Sequence, residues 1–348
     1  MRQIPRLALV TTALCMAAAS AAAGPRLDSI RRKGVLTCGV APGVAGFAEV
    51  TAQGRDNVSS VSRLYRGLDV DICRALAAAI FGSPDKVKFV LAASVAEFSR
   101  AKGVDIVSRR LTWSLARETP VRMLFGPVMF YDGQSFLVRK TLGAKTVRQL
   151  SGVPVCVAAG TPAEFNVSAY FDAHQLALKE IAIAGDEIGE IGRAFADERC
   201  PAYSADTSML GSIRSRLPRP DDFDILPEQI SKEPLAQLVR DDDAQFFDIL
   251  RWTVFALIDA EELGVTSSNI DQMLKSGNAD VQRLLGVMPG NGKALGLDEK
   301  WAYNVIKALG NYGEMFERNV GSRSPIKLER GANRLWTEGG LLYAPPLR

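Results

Sequence analysis

Apolar and polar positions along this chain follow two rhythms. Short apolar runs read as strands near 35–40 (VLTCGV), 86–91 and 104–108, while 69–82 and about 94–102 carry helical spacing between them. The rhythm restarts near 135 with QSFLVRK and VPVCVAAG, a helix from about 162 to 173, another near 187–198, and the strand AYSA. Such alternation predicts an α/β fold with parallel sheets, here in two successive units. Residues 217–241 are rich in proline and aspartate and hold the extended segments DFDIL and LAQLV. Beyond them, Phe246, Leu250, Val254 and Leu257 recur at helical spacing within 243–264, and a helical tail follows that has no sheet of its own. Asp248, Arg251 and Asp259 interrupt that segment, so its aromatic stripe reads as core packing. If the tail packs on the first unit, the chain crosses between two lobes twice.

The first 23 residues stand outside this pattern. Arg2 and Arg6 precede an uncharged apolar stretch, Leu7 to Ala19, and Ala21-Ala22-Ala23 before Gly24 offers small residues for cleavage, so an exported chain with a removed signal peptide is expected. Leu14 before Cys15 does not suit a lipid-anchor signal, which favours a soluble product. After residue 25 no apolar run reaches the roughly 18 residues that span a bilayer. Length of 348 residues suggests about two domains, and 47% hydrophobic with 23% charged residues is ordinary globular composition. Cleavage takes the net charge from +3 to +1, and the basic residues are scattered, so nucleic-acid binding is not expected.

Four of the five cysteines remain after cleavage, and an even number in an exported chain points to disulfides rather than to metal or redox chemistry. Sequence permits three pairings; the expected one is Cys38–Cys73 with Cys156–Cys200, each closing a loop worth about 3 to 4 kcal/mol.

Catalytic signatures are missing. With His174 alone a histidine metal cluster is excluded, and the chain lacks HExxH, GxSxG, a Walker loop and GxGxxG, so no metal, cofactor or catalytic residue is expected. His174 reads as a surface helix residue, and Asp69, ahead of an apolar-periodic helix, as its N-cap. The informative segment is SRRLTWSLARETP, 108–120, which follows the strand GVDIV; ligands in open α/β sheets bind beyond the carboxyl ends of strands. Thr112 and Ser114 offer hydroxyls there, and Arg117 a planar donor fork that can grip a carboxylate with two bonds.

The runs LDSIRRKGVLTCGVAPGVAGFA, GLDVDICRALAAAIFG, TWSLARE, FYDGQSFLVRK and VCVAAGT resemble the periplasmic substrate-binding protein of a general L-amino acid ABC transporter. So do ILPEQISKEPLAQLVRDDDAQFFDILRWTVFALIDAEELG, KALGLDEKWAYNVIKALGNYGEMFERN and LWTEGGLLYAPPLR, which extends the likeness over nearly the whole chain. The resemblance implies the type II periplasmic binding fold, with residues 24–130 and 239–348 in the first lobe and 131–238 in the second. It implies a monomeric receptor that closes on an amino acid and delivers it to an inner-membrane permease with its ATPase. By the same resemblance Arg117 with Thr112 takes the α-carboxylate, Thr161 assists from the second lobe near a helix N-terminus, and Asp206 faces the α-ammonium, a role that can coexist with capping the helix from Thr207.

Departures from the family pattern cluster at this site. Arg110 stands where a small polar residue is usual, Pro162 replaces a second threonine, Pro201 replaces an acidic residue after Cys200, and EFSRAKGVDIV is shorter by about two residues. They suggest a diverged paralogue whose ligand departs from the general set. Either Arg110 turns outward, or it enters the pocket and favours acidic amino acids or dicarboxylates. Two other classes share the architecture: a dehydratase-like enzyme, for which no carboxylate or histidine stands out, and a sensory ligand-binding protein, for which the chain carries no signalling domain.

Overall fold

The computed structural model describes residues 24–50, 65–92, 98, 103–121, 123–185, 189–190 and 192–348. The expected signal segment, most of the helix expected at 94–102, and the start of the one at 187–198 lie outside them; of the last, Gly192–Ala196 is helical.

Among the described residues thirteen strands fall into two main sheets and one small hairpin. In the first sheet β1 (Leu36–Val40) lies parallel to β4 (Val87–Leu91) and β5 (Ile106–Thr112). Strand β13 (Glu233–Arg240) runs antiparallel to β5, to β6 (Met123–Phe125) and to β7 (Phe130–Asp132). Strands β2 (Glu49–Val50) and β3 (Tyr65–Arg66) form the hairpin. The second sheet has the order β10-β9-β11-β8-β12, with β8 (Gln134–Arg139), β9 (Pro154–Ala158), β10 (Lys179–Ile183), β11 (Ala202–Asp206) and β12 (Phe223–Ile225). The middle strands β1, β9 and β11 are almost continuously apolar and buried, the pattern of strands covered on both faces.

Helices α1 (Pro25–Lys33), α2 (Leu68–Phe81), α3 (Leu115–Glu118), α4 (Pro162–Ala173), α5 (Thr207–Arg214), α6 (Ala244–Glu262), α7 (Trp301–Leu309) and α8 (Tyr312–Asn319) complete the elements that matter below. The tail helices α6, α7 and α8 share one core with α2, in which Trp301, Tyr312 and Phe316 are fully buried. Both expected disulfides are present, Cys38–Cys73 tying β1 to α2 and Cys156–Cys200 tying β9 to the start of β11. Among the described residues no helix is long and apolar enough to cross a membrane.

One carboxylate starts two helices. Asp243 is the N-cap of α6 and accepts from Phe246 N at 2.9 Å, while its other oxygen accepts from Arg26 N and Leu27 N of α1, both at 2.9 Å. Since the side chain is buried, Asp243→Ala would leave three backbone donors without this acceptor and is expected to cost about 2 kcal/mol. A urea titration measures it, and a loss below about 0.5 kcal/mol would mean that water replaces the carboxylate at both helix starts.

The chain passes between the sheets with little slack. Only Gly133 separates β7 from β8, and Leu226 to Lys232 lead back from β12 to β13. A Cβ on Gly133 would stand 2.7 Å from both Gln229 Cδ and Ser231 O, so the two crossings run too close together there for any larger residue.

Candidate functional site

Strands β1 and β5 of one sheet, and β9 and β11 of the other, direct their carboxyl ends toward residues 41–48, 113–118, 159–161 and 207 respectively. These are the strand ends at which ligands of open α/β sheets bind. The expected ligand loop 108–120 differs from expectation in its first half: β5 continues through it to Thr112, followed by the single turn α3.

Within β5 the pairing slips. Val107 faces Leu238 and Leu111 faces Ala236, so Ser108, Arg109 and Arg110 share the space opposite Gln237, a bulge of the kind that re-aims side chains beside binding sites. Arg110 takes φ +54°, a left-handed conformation that a long side chain adopts at a cost. The bulge aims it across the cleft: its Nη1 donates to Ser208 Oγ of α5 at 2.9 Å, and its guanidinium lies 5.7 Å from the centre of the Phe47 ring. Arg110 therefore does not turn outward.

Beneath Arg110 sits Asp69, buried, accepting from Ser108 Oγ at 2.9 Å and Arg110 N at 3.4 Å. Burial pushes its pKa up to about 6, against the pull of Ser108 and Arg110. This corrects the N-cap expectation: α2 begins one residue earlier with Gly67 at the cap position, and Asp69 holds the bulge.

Asp206 occupies the N-cap position of α5 but makes no capping bond. The nearby backbone donors go instead to Asp132 from the first crossing, whose Oδ1 accepts from Gly133 N at 2.9 Å and Ser208 N at 3.2 Å. Asp206 is thereby left without a backbone donor at the helix start. Desolvation first, then the neighbouring Asp132 and Glu233, raise its pKa to about 7, while Arg110 and Arg117 pull it down. Burial also raises Asp132, opposed by its bonds from Ser208 and Gly133 and by Arg110. Burial and mutual repulsion thus favour the neutral form of Asp206, and a cation placed beside it would favour the ionised one.

Arg117 is exposed, with Nη1 donating to Thr112 O at 3.1 Å and, among the described residues, no carboxylate on its fork. The hydroxyl of Thr112 donates to Glu233 Oε2 at 2.7 Å, so its hydrogen is not free for a ligand anion. Thr161 sits at the N-cap of α4, but its hydroxyl donates to Ala158 O at 2.7 Å, while Glu164 Oε2 accepts from Gly160 N at 2.5 Å. Arg110, Arg117 and Asp206 are thus brought within electrostatic reach of one another, with Thr112 joined to them through Glu233. Thr161 shares the strand-end position but contacts none of them. His174, at the end of α4, stacks 4.0 Å from Tyr170 and donates from Nδ1 to Tyr170 O.

Sequence reasoning did not single out Asp132, Ser208, Glu233 or Phe47. The aspartate between two aromatic-rich strands in FYDGQSF was the available signal for the first; the others carry none.

No family model matches the chain. It is 43% identical over 345 residues, 98% of each chain, to the general L-amino acid-binding periplasmic protein of Rhizobium johnstonii. It is 42% identical over 341 residues to the glutamate/glutamine/aspartate/asparagine-binding protein of Rhodobacter capsulatus, covering 97% of this chain and 98% of the relative. A solved ABC-transporter periplasmic binding protein from Brucella ovis with glutathione bound matches with a TM-score of 0.81 at 42% identity, over 92% of this chain and 99% of that one.

Proposed function

Because the chain belongs to the periplasmic amino-acid-binding proteins of ABC transporters and has their type II fold, we propose that it binds an L-amino acid between its two lobes and presents it to a membrane permease driven by an ATPase. The observation that carries this reading is the uncapped, desolvated Asp206 beside Asp132, a pair that a ligand ammonium would neutralise. In this reading the α-carboxylate lies on the free fork of Arg117, with Thr112 and Thr161 at the rims of the two lobes. The crossings at Gly133 and between Leu226 and Lys232 act as the hinge, so the lobes meet a few residues inside the bounds expected at 131 and 238. Its relatives are binding proteins, which supports a receptor rather than an enzyme; in this reading the mature chain begins near Gly24 and works as a periplasmic monomer.

The ligand class is where Arg110 matters. One relative binds glutamate, glutamine, aspartate and asparagine by name, two of which carry a carboxylate beyond the α-carboxylate, and a solved one holds glutathione, which carries two carboxylates. Arg110, aimed into the cleft, supplies a second guanidinium for such a group, so acidic ligands are favoured over neutral and basic ones. A thermal-shift panel of amino acids and small dicarboxylates, repeated on Arg110→Ser, tests this. Wild type should be stabilised most by acidic ligands, and the variant should lose that preference while still responding to neutral ones. Equal stabilisation by neutral and acidic ligands, unchanged in the variant, would remove Arg110 from the site. Small-angle scattering of wild type with a saturating hit should show a smaller radius of gyration than without it; an unchanged radius would count against closure.

A further inference from the structure

A second cavity lies between the lobes, and none of Arg110, Thr112, Arg117, Asp132 or Asp206 lines it. The turn at Ala45–Gly46, the β2–β3 hairpin at Glu49 and Arg66, and the segment Arg318–Ile326 contribute from the first lobe; Ser215 and Arg216 close it from the second. It measures about 350 Å³, and at roughly 30 Å³ per water it holds on the order of ten waters, ample for a phosphate or a small polycarboxylate.

Its walls are strongly basic. Among the described residues Arg66, Arg216, Arg318 and Arg323 line it, against Glu49 as the single acidic one. Arg66 pairs with Glu49 at 2.6 Å, and Arg318 turns its Nε and Nη2 back onto the buried Asp71 at 3.1 and 2.8 Å. The other two meet main-chain carbonyls: Arg216 donates to Gly43 O across the lobe boundary, and Arg323 to Glu314 O at 3.5 Å. Among the described residues, two guanidinium groups therefore face this cavity without a carboxylate partner, one from each lobe.

The two walls are also joined directly. Ala45 N donates to Ser212 Oγ of α5 at 2.9 Å, so the cavity is assembled only while the 43–48 turn rests on the second lobe. The same α5 begins beside Asp206 and carries Ser208, so a group held between Arg216 and Arg323 would favour the lobe arrangement that the amino-acid site requires.

We propose that this cavity is a second binding site, for a small polyvalent anion of the phosphate or polycarboxylate class, which bridges Arg216 to Arg323, Arg66 and Arg318 and strengthens closure. Arginine forks suit such anions because each can give two parallel charge-assisted bonds, and a partner drawn from both lobes converts that attraction into differential affinity for the closed state.

The test uses the whole mature protein without amino acid, titrated with inorganic phosphate or with citrate against sodium chloride of equal ionic strength, because a general salt effect would act through screening alone. Melting should rise by several degrees with phosphate or citrate over chloride, and the stronger of the two identifies the geometry that fits. The double variant Arg216→Gln, Arg323→Gln, which also loses the bond from Arg216 to Gly43 O, should melt within a few degrees of wild type in chloride, bind L-glutamate there within about fivefold of wild type, and lose the anion response. Arg117→Ala should keep that response, which separates this site from the amino-acid cleft. In wild type the same anion should raise affinity for L-glutamate three- to ten-fold. Equal melting in all three salts, an anion response that survives in the double variant, or its loss in Arg117→Ala would each overturn the proposal.

Discussion

Replacing Cys156 and Cys200 together by alanine is expected to destabilise the second lobe by about 3 to 4 kcal/mol. The bridge spans 44 residues, and the chain-entropy argument assigns its effect chiefly to the unfolded chain, whose ends it keeps together. Both sulfurs are fully buried, and the residues they join lie at the centre of the second sheet, where Tyr203 pairs with Cys156 and Ala202 with Val155 across parallel strands. Parallel neighbours need a long crossover before they meet, so a covalent tie here offsets the closure entropy of that crossover. The Cys38–Cys73 bridge, over 35 residues, should be worth about as much to the first lobe. Urea titrations of each double variant, each fitted with its own slope because the unfolded chain expands without the bridge, read the loss as the change in extrapolated stability. A loss under about 1 kcal/mol for both would mean that the buried strands hold these loops closed without covalent help.

The β and α rhythm was legible because the strands are buried on both faces and read as unbroken apolar runs, as in VLTCGV and VPVCVAAG. The long helix 243–264 was legible for the opposite reason, its one-sided spacing. What escaped was geometry set by long-range contact. Asp69 looks like a helix cap in sequence, since an acidic residue ahead of an apolar helix usually is one; only the bulge in β5, 39 positions away, explains why it is buried under Arg110 instead. The hydroxyls of Thr112 and Thr161 were legible as residues but not as already engaged, because their acceptors are Glu233, far along the chain, and a local carbonyl. Asp132 was invisible for the same reason: its task is to take the Ser208 backbone donor of α5 so that Asp206, 74 residues later, does not. Arg110 was legible as a departure, but its direction came from a slip in strand pairing that no single-strand pattern reveals.

Asp206→Ala, and separately Arg117→Ala, should weaken binding of an L-amino acid by thirty-fold or more. Losing one partner of a desolvated charge pair commonly costs about 2 to 5 kcal/mol, and about 2 kcal/mol is thirty-fold in affinity. The two variants should differ in how they respond to pH. In the ligand-free protein Asp206 has a pKa raised to about 7 by burial and by Asp132 and Glu233, so between about pH 4 and 7 it holds a proton that it would have lost in water. An arriving ammonium needs the ionised form, so binding must expel that proton: affinity should climb as pH rises toward 7 and level off above it. Calorimetry in buffers of different ionisation enthalpy should detect proton release near pH 6 in wild type and in Arg117→Ala. It should detect little in Asp206→Ala, where the acidic neighbour that raised the pair is gone. A wild-type affinity that is flat from pH 5 to 8 with no proton release would detach Asp206 from the ammonium, and normal binding by both variants would move the amino acid elsewhere in the cleft.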